Sequence, residues 1–309
     1  MCQADRVLFY YYMRIFITGA AGFLGSNLAI FLSQYGHELL CLKRSSSEIG
    51  RPKLLGSNVR WINIDKPDWK EDVRIFAPEI VIHAAWMGVS TEERANHSIQ
   101  ASNLGLVEDI LDVSKNAIKF IGLGSQDEYG CLNKVIDENT PLHPITPYGR
   151  VKAECAKIVR AFCVSRGVKW YWLRVFSVYG VGNHNSIIQQ VMEKIHTTTS
   201  MDTTLGEQQY AFLHVSDFCR AVHSIVVHDK TDSGTYNISS GKSIRLKDLF
   251  LQIREIYNPS FVFRFGAIPY RPGQSMLLQG DSSKFIEKFG PFEELDLLYS
   301  LTQQYAATK

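Results

Sequence analysis

Apolar runs of strand length alternate with longer amphipathic stretches through the first half of the chain. Residues 14–18 (RIFIT) are apolar enough for a strand buried on both faces, and 27–35 reads as the helix that follows. A second strand is predicted over 38–42 (ELLCL), a third over 59–64 and a fourth over 80–84 (IVIHA). Each is separated from the next by enough chain for a crossover. The series continues at 119–123 (KFIGL) and 170–175 (WYWLRV), with a helix over 148–162 between them. Buried strands joined by helical crossovers predict an α/β fold, a doubly wound parallel Rossmann sheet with helices on both faces.

The regularity loosens beyond Val175. Short strands, glycine turns and isolated helices follow, one of them over 244–257 after Ser239-Ser240-Gly241. The pattern divides the chain into a first domain over 13–175 and a smaller α+β lobe over 176–309, partly interleaved with it. Ligands of such sheets sit at the carboxyl ends of the strands, where a second lobe covers them. Residues 1–12 read as an extension, because Leu8-Phe9-Tyr10-Tyr11-Tyr12 is too short and aromatic for a signal peptide and Met13 opens the first strand.

Composition narrows the function classes. With 309 residues and a net charge of +2, the chain has no overall basic excess to suggest nucleic acid or a membrane surface as partner. No apolar run approaches the roughly 20 residues that span a bilayer. The six cysteines include no Cys-x-x-Cys pair, which predicts reduced thiols in a cytoplasmic protein. No His/Cys/Asp cluster has metal-ligand spacing.

The candidate chemistry begins at Thr18-Gly19-Ala20-Ala21-Gly22-Phe23-Leu24-Gly25, a run with glycines at three-residue spacing between a strand and a helix. Gly19 permits a tight turn, Gly22 lets backbone approach a pyrophosphate, and Gly25 lets the helix pack close to the sheet. With Ala21, Phe23 and Leu24, these residues predict a dinucleotide site at a helix N-terminus. About 20 residues on, where an acid would hold the ribose 2′-hydroxyl of NAD, stand Lys43-Arg44-Ser45-Ser46. A carboxylate repels a 2′-phosphate whereas a guanidinium forks onto it, so NADP(H) is expected ahead of NAD(H). Asp65, after the third strand, is either an adenine contact or a turn-forming acid.

Tyr148 and Lys152 lie four apart at the start of the 148–162 helix, one turn apart on one face. A neighbouring Lys⁺ favours phenolate, which would bring Tyr148 toward the working pH as an acid–base group. Ser125 stands at a strand's carboxyl end, placed to orient a substrate carbonyl. Trp86 and Arg94, in the loop and helix after the fourth strand, either line a substrate pocket or serve packing. His83, His214 and Asp217 read as structural.

TGAAGFLG, the strand-end GSQDEYG and the YGRVK helix, in that order, resemble the extended branch of the short-chain dehydrogenase/reductase family. The resemblance extends from Met13 to the C-terminus through LRVFSVYG, FLHVSD, YNISSG and Arg271-Pro272-Gly273. It implies Tyr148 as acid/base, Lys152 as its tuner and a cofactor ribose ligand, and Ser125 as carbonyl partner. It further implies cofactor contacts from Ala84, Ala85 and Asn103, and substrate contacts from Trp86, Gln126, Ser177 and Arg271, the last on a diphosphate. A nucleotide-sugar substrate and a homodimer built on the Tyr148 helix are implied too. The family's dehydratases carry Asp and Glu where this chain has Gln126 and Asp127, and Gln transfers no proton. Its 4-epimerases carry an acid, Asn and Arg where this chain has Lys43, Ser177 and Tyr210. The strings HAAWMGV and GSQDEYG look most like reductases of 4-keto-6-deoxy sugars, such as the CDP-abequose synthase group. The expectation is an NADPH-dependent reduction at C4 of a nucleotide-activated 4-keto-6-deoxyhexose. A 4-epimerase using the same Ser, Tyr and Lys is the alternative, and a catalytically silent NADP-binding regulator a more distant one.

Overall fold

The computed structural model describes residues 12–47, 56–183, 186–228, 231–271, 273–292 and 295–306. Nearly all of the proposed 1–12 extension therefore lies outside the described residues.

Strands β1 (Arg14–Thr18), β2 (Glu38–Lys43), β3 (Val59–Asn63), β4 (Ile80–His83), β5 (Lys119–Ser125) and β6 (Lys169–Val175) lie parallel. The sheet order reverses between β1 and β4, giving β3-β2-β1-β4-β5-β6. A reversal of this kind opens a crevice at the strands' carboxyl ends. The Rossmann expectation holds.

Alternation explains why these strands read as continuously apolar. Ile15 and Ile17 of β1 join Leu39, Cys41, Ile80 and Ile82 on one face, against helices α1 (Phe23–Ser33) and α7 (Val215–Val227). Phe16 turns to the other face with Leu40, Val81, Phe120 and Trp172, beneath α2 (Trp69–Phe76), α4 (His97–Val113) and α5 (Pro147–Arg166). Both faces of the central strands are covered, so apolar side chains fill both.

Helix α1 begins at Phe23, four residues earlier than its amphipathic pattern suggests, because Gly22 is its N-cap. Its dipole therefore points straight at the glycine turn. Helix α5 starts on Thr146, whose hydroxyl accepts from Gly149 N at 3.0 Å, with Pro147 in the first turn, and stops at left-handed Gly167. Tyr148, Lys152, Cys155, Val159 and Cys163 form its buried stripe. The apolar face that docks the helix thus also carries Tyr148 and Lys152 inward.

Beyond β6 the chain builds a second layer. Strands β7 (Ser177–Tyr179), β9 (Gln209–His214), β11 (Ser243–Arg245) and β13 (Leu277–Leu278) form a small sheet; β8 (Ser200–Thr203) pairs with β12 (Val262–Phe265). Helices α6 (Ile187–Thr197) and α8 (Leu246–Tyr257) pack beside them around Phe250, Phe261 and Phe263. The first two residues of the predicted 244–257 helix belong to β11 and the cap: Ile244 pairs with Tyr210, and Arg245 is the N-cap. Between these pieces β10 (Gly234–Ile238) returns to the large sheet as its seventh strand, parallel to β6.

Candidate active site

The glycine turn is shaped for close approach. Gly19 has φ +66°, and a Cβ there would lie 2.6 Å from the backbone of Ala85. A Cβ on Gly25 would lie 2.2 Å from Gly19 O, so the helix packs directly on the turn. Gly22 gives no side-chain cap, and the first turn of α1 carries no acid. The helix N-terminus consequently offers N–H groups and positive potential, a cradle that fits a dinucleotide's pyrophosphate. Ala21, Phe23 and Leu24 border it. Thr18 ties the turn to β4: its Oγ1 accepts from Ala85 N at 3.1 Å and lies 2.9 Å from His83 Nδ1. Burial, reinforced by the Lys152 cation, pushes His83 down to about 3, so its imidazole is neutral.

Past β2, Arg44 is exposed, and Lys43 Nζ donates to Ser47 O at 3.3 Å. Asp65 arrives from the end of β3 and accepts from Ser45 N at 2.5 Å. That hydrogen bond, aided by the Arg44 charge, holds the carboxyl below its ordinary value. The cation pair at the end of β2 therefore has a carboxylate beside it, contributed by a different strand. Asn103 is fully buried: Oδ1 accepts from Met87 N at 2.8 Å and Nδ2 donates to Met87 O at 3.1 Å. It clamps the backbone that follows Ala84 and Ala85.

Ser125, Tyr148 and Lys152 converge, all buried. Ser125 ends β5 and caps a single 3-10 turn (Gln126–Glu128), accepting from Asp127 N at 3.2 Å. Burial pushes the Tyr148 phenol up to about 12, partly offset by the Arg94 charge and the neighbouring Ser125 hydroxyl. Lys152 lies one turn along the same helix. Its Nζ donates to Leu123 O at 2.6 Å and stands 3.7 Å from the centre of the Trp86 ring, but 5.8 Å from that of Tyr148. Burial brings it down to about 8. A different cation stands nearer the Tyr148 ring.

That cation is Arg94, whose guanidinium carbon lies 4.5 Å from the Tyr148 ring centre. Arg94 ends the short helix α3 (Thr91–Arg94) and pairs with Asp127 at 3.3 Å. Trp86 packs edge-on to Tyr148 at 5.7 Å, its Nε1 donating to Gln100 Oε1 at 2.9 Å. Gln126 Nε2 donates to the other Asp127 oxygen at 3.0 Å. Ser177 opens β7, half-buried opposite Phe212. Arg271 is exposed, with its charge felt by Tyr210; its neighbour Pro272 lies outside the described residues.

Sequence reading missed the support beneath Ser125. Glu128 is fully buried; Oε1 accepts from Ser125 N and Trp172 Nε1, both at 2.9 Å, and Oε2 from Arg174 Nε at 2.8 Å. Arg174 also donates to Tyr129 OH at 2.8 Å, which donates to Asn237 Oδ1 at 2.7 Å. A signal was present: Ser125-x-x-Glu128 has capping-box spacing, and both of its hydrogen bonds form. Among the described residues no group of three or more His, Cys, Asp or Glu could hold a metal ion, and no helix is long and apolar enough to cross a membrane.

The glycine turn and the Ser125, Tyr148 and Lys152 cluster lie along the carboxyl ends of the central strands, an arrangement suited to a nicotinamide-dependent enzyme of the short-chain type. Residues 15–239 match the NAD dependent epimerase/dehydratase family, and the chain belongs to it. It is 23% identical over 273 residues to dTDP-6-deoxy-L-talose 4-dehydrogenase (NAD(+)) of Aggregatibacter actinomycetemcomitans, covering 87% of this chain and 99% of that one. CDP-abequose synthase of Yersinia pseudotuberculosis is 22% identical over 250 residues (79% and 84%). A putative UDP-glucose 4-epimerase of Methanocaldococcus jannaschii is 26% identical over 297 residues (92% and 94%). The fold is that of the Bordetella bronchiseptica enzyme WbmG in complex with NAD, with a TM-score of 0.81 at 22% identity over 98% of this chain and 95% of that one.

Proposed function

We propose that this enzyme reduces the C4 ketone of a nucleotide-activated 4-keto-6-deoxyhexose, with NADPH as reductant. The placement of Tyr148 carries this reading: it is buried on α5, which packs directly on the turn after Ser125, where a phenol can give its proton to a ketone oxygen. The similarity to dTDP-6-deoxy-L-talose 4-dehydrogenase and CDP-abequose synthase supports the sugar class.

A bound nicotinamide dinucleotide supplies the hydride. Gly19, Ala21, Gly22, Phe23, Leu24 and Gly25 would hold its pyrophosphate, Lys43, Arg44 and Asp65 its adenosine end, and Ala84, Ala85 and Lys152 its nicotinamide ribose. Ser125 donates a hydrogen bond to the ketone oxygen. Tyr148 delivers the proton to that oxygen as it becomes a hydroxyl. Lys152, cationic below about pH 8, favours the phenolate left behind. Asp127 is engaged by Arg94 and Gln126, which argues against its expelling water from the sugar as a dehydratase would. The first domain over 13–175 would carry this cofactor and the 176–309 lobe the sugar, with Trp86, Gln126 and Ser177 facing the hexose and Arg271 the diphosphate.

Similarity to a putative UDP-glucose 4-epimerase favours a second reading, in which the same groups serve epimerisation. Assay with a nucleotide 4-keto-6-deoxyhexose separates them: reduction consumes one NADPH per sugar, and epimerisation consumes none. A homodimer is proposed on the α4–α5 face, where Leu111, Ile158 and Phe162 line a groove. A monomer in sedimentation equilibrium would contradict it.

A further inference from the structure

We propose that Arg94 and Asp127 form a charge lever on Tyr148: the guanidinium over the phenol ring favours phenolate, and the carboxylate paired with it sets how strongly. The inference rests on Tyr148 being the acid–base group, and adds to Lys152 a second tuning residue on a different element.

The geometry is specific. Arg94 Cζ stands 4.5 Å from the Tyr148 ring centre, and Arg94 Nη1 donates to Asp127 Oδ2 at 3.3 Å. Both partners are held. Arg94 Nε donates to Val89 O at 3.1 Å, and α3 is fixed by the Ser90–Glu93 capping box. Asp127 Oδ1 is occupied by Gln126. Its backbone lies on the Tyr148 helix: a Cβ on Gly149 would come 2.3 Å from Asp127 O. That glycine lets the acid's turn and the tyrosine's helix touch.

The other charges around Tyr148 are already committed. Glu128 faces it from the same 3-10 turn, but is paired with Arg174 at 2.8 Å. Lys152, on its own helix, is bound to Leu123 O. Ser125 contributes a hydroxyl without net charge. Arg94 leads the influences that lower the Tyr148 value, and Asp127 leads the charges that raise it. The pair is partly exposed, so a substrate can reach it. A substrate hydroxyl drawing on the Asp127 carboxylate would weaken the counter-ion and leave more of the Arg94 charge on the phenol, as the proton is needed.

The test uses full-length protein labelled with 13Cζ-tyrosine, with the Tyr148 resonance identified by its absence in Tyr148→Phe. The ionised fraction of Tyr148 is read at one alkaline pH where every variant keeps its native circular dichroism. Asp127→Asn leaves Arg94 uncompensated and should raise that fraction about tenfold, one unit of pKa. Adding Arg94→Met should return it to the parent level. The proposal is overturned if Asp127→Asn gives no increase. It is equally overturned if the double variant stays as ionised as Asp127→Asn, which is what mere loosening and hydration of the site would produce. No substrate is involved, so the outcome is independent of the assigned reaction. Turnover retained by Tyr148→Phe would remove the acid–base reading while leaving the titration order intact.

Discussion

Lys152 Nζ lies over the face of Trp86, 3.7 Å from the ring centre, while Arg94 rather than Lys152 stacks on Tyr148. Cation and aromatic ring attract each other most strongly when desolvated. Burial nevertheless leaves Lys152 only weakly basic, at about 8.

From this follows a pH dependence. The Lys152 cation is present below about pH 8 and lost above it. A reaction that needs the cation should show kcat/KM falling as pH rises through about 8. Lys152→Arg keeps its charge at all such pH values, so any activity it retains should lose that limb. An unchanged limb in the arginine variant would detach it from Lys152.

The proposed preference for NADP(H) rests on Lys43 and Arg44. Arg44→Ala should weaken NADPH binding by about tenfold to a hundredfold, the worth of a charge-assisted contact, while changing NADH binding little. Dissociation constants from fluorescence titration measure both. Equal losses for the two cofactors would mean that Arg44 does not meet a 2′-phosphate.

Glu128 should matter for stability. Glu128→Ala leaves Arg174 buried without its counter-ion and Trp172 Nε1 and Ser125 N without an acceptor. A loss of about 3–5 kcal/mol is expected in urea unfolding. Glu128→Gln, which keeps an acceptor, should lose less. Near-equal losses would show that packing matters there rather than charge.

Acid should destabilise the fold through its buried histidines. Burial lowers His37, and burial with two neighbouring histidines, His37 and His228, brings His223 down to about 4; His83 lies at about 3. In the unfolded chain a histidine takes its proton near pH 6.5, so between that pH and the folded values the unfolded state binds more protons. Stability is therefore full above about pH 6.5 and falls as the pH drops. A loss of about 2–4 kcal/mol between about pH 7 and about pH 5 is expected. Urea titrations at the two pH values check it, and a flat profile would contradict it.

The strands were legible because both-face burial writes an unmistakable apolar run, and the glycine turn because its spacing has a steric cause. Tyr148, Lys152 and Ser125 were legible as types at fixed offsets. Contacts between distant segments were not. Nothing in the local pattern of 234–238 says that it returns to the edge beside β6. Cβ atoms on Gly122 and Gly124 would lie 2.5 Å and 2.3 Å from the Trp172 side chain, so these glycines make room for a ring from the next strand, a partner that no local pattern names. The Arg94–Asp127 pair joins residues 33 apart, which no periodicity links.

The most direct test of the account follows cofactor absorbance with NADPH and a nucleotide 4-keto-6-deoxyhexose, in the parent and in Tyr148→Phe. One NADPH should be oxidised per sugar reduced in the parent, and Tyr148→Phe should lose about a hundredfold or more of that rate with NADPH binding intact. Sugar interconversion without net cofactor consumption, or substantial turnover by Tyr148→Phe, would contradict it.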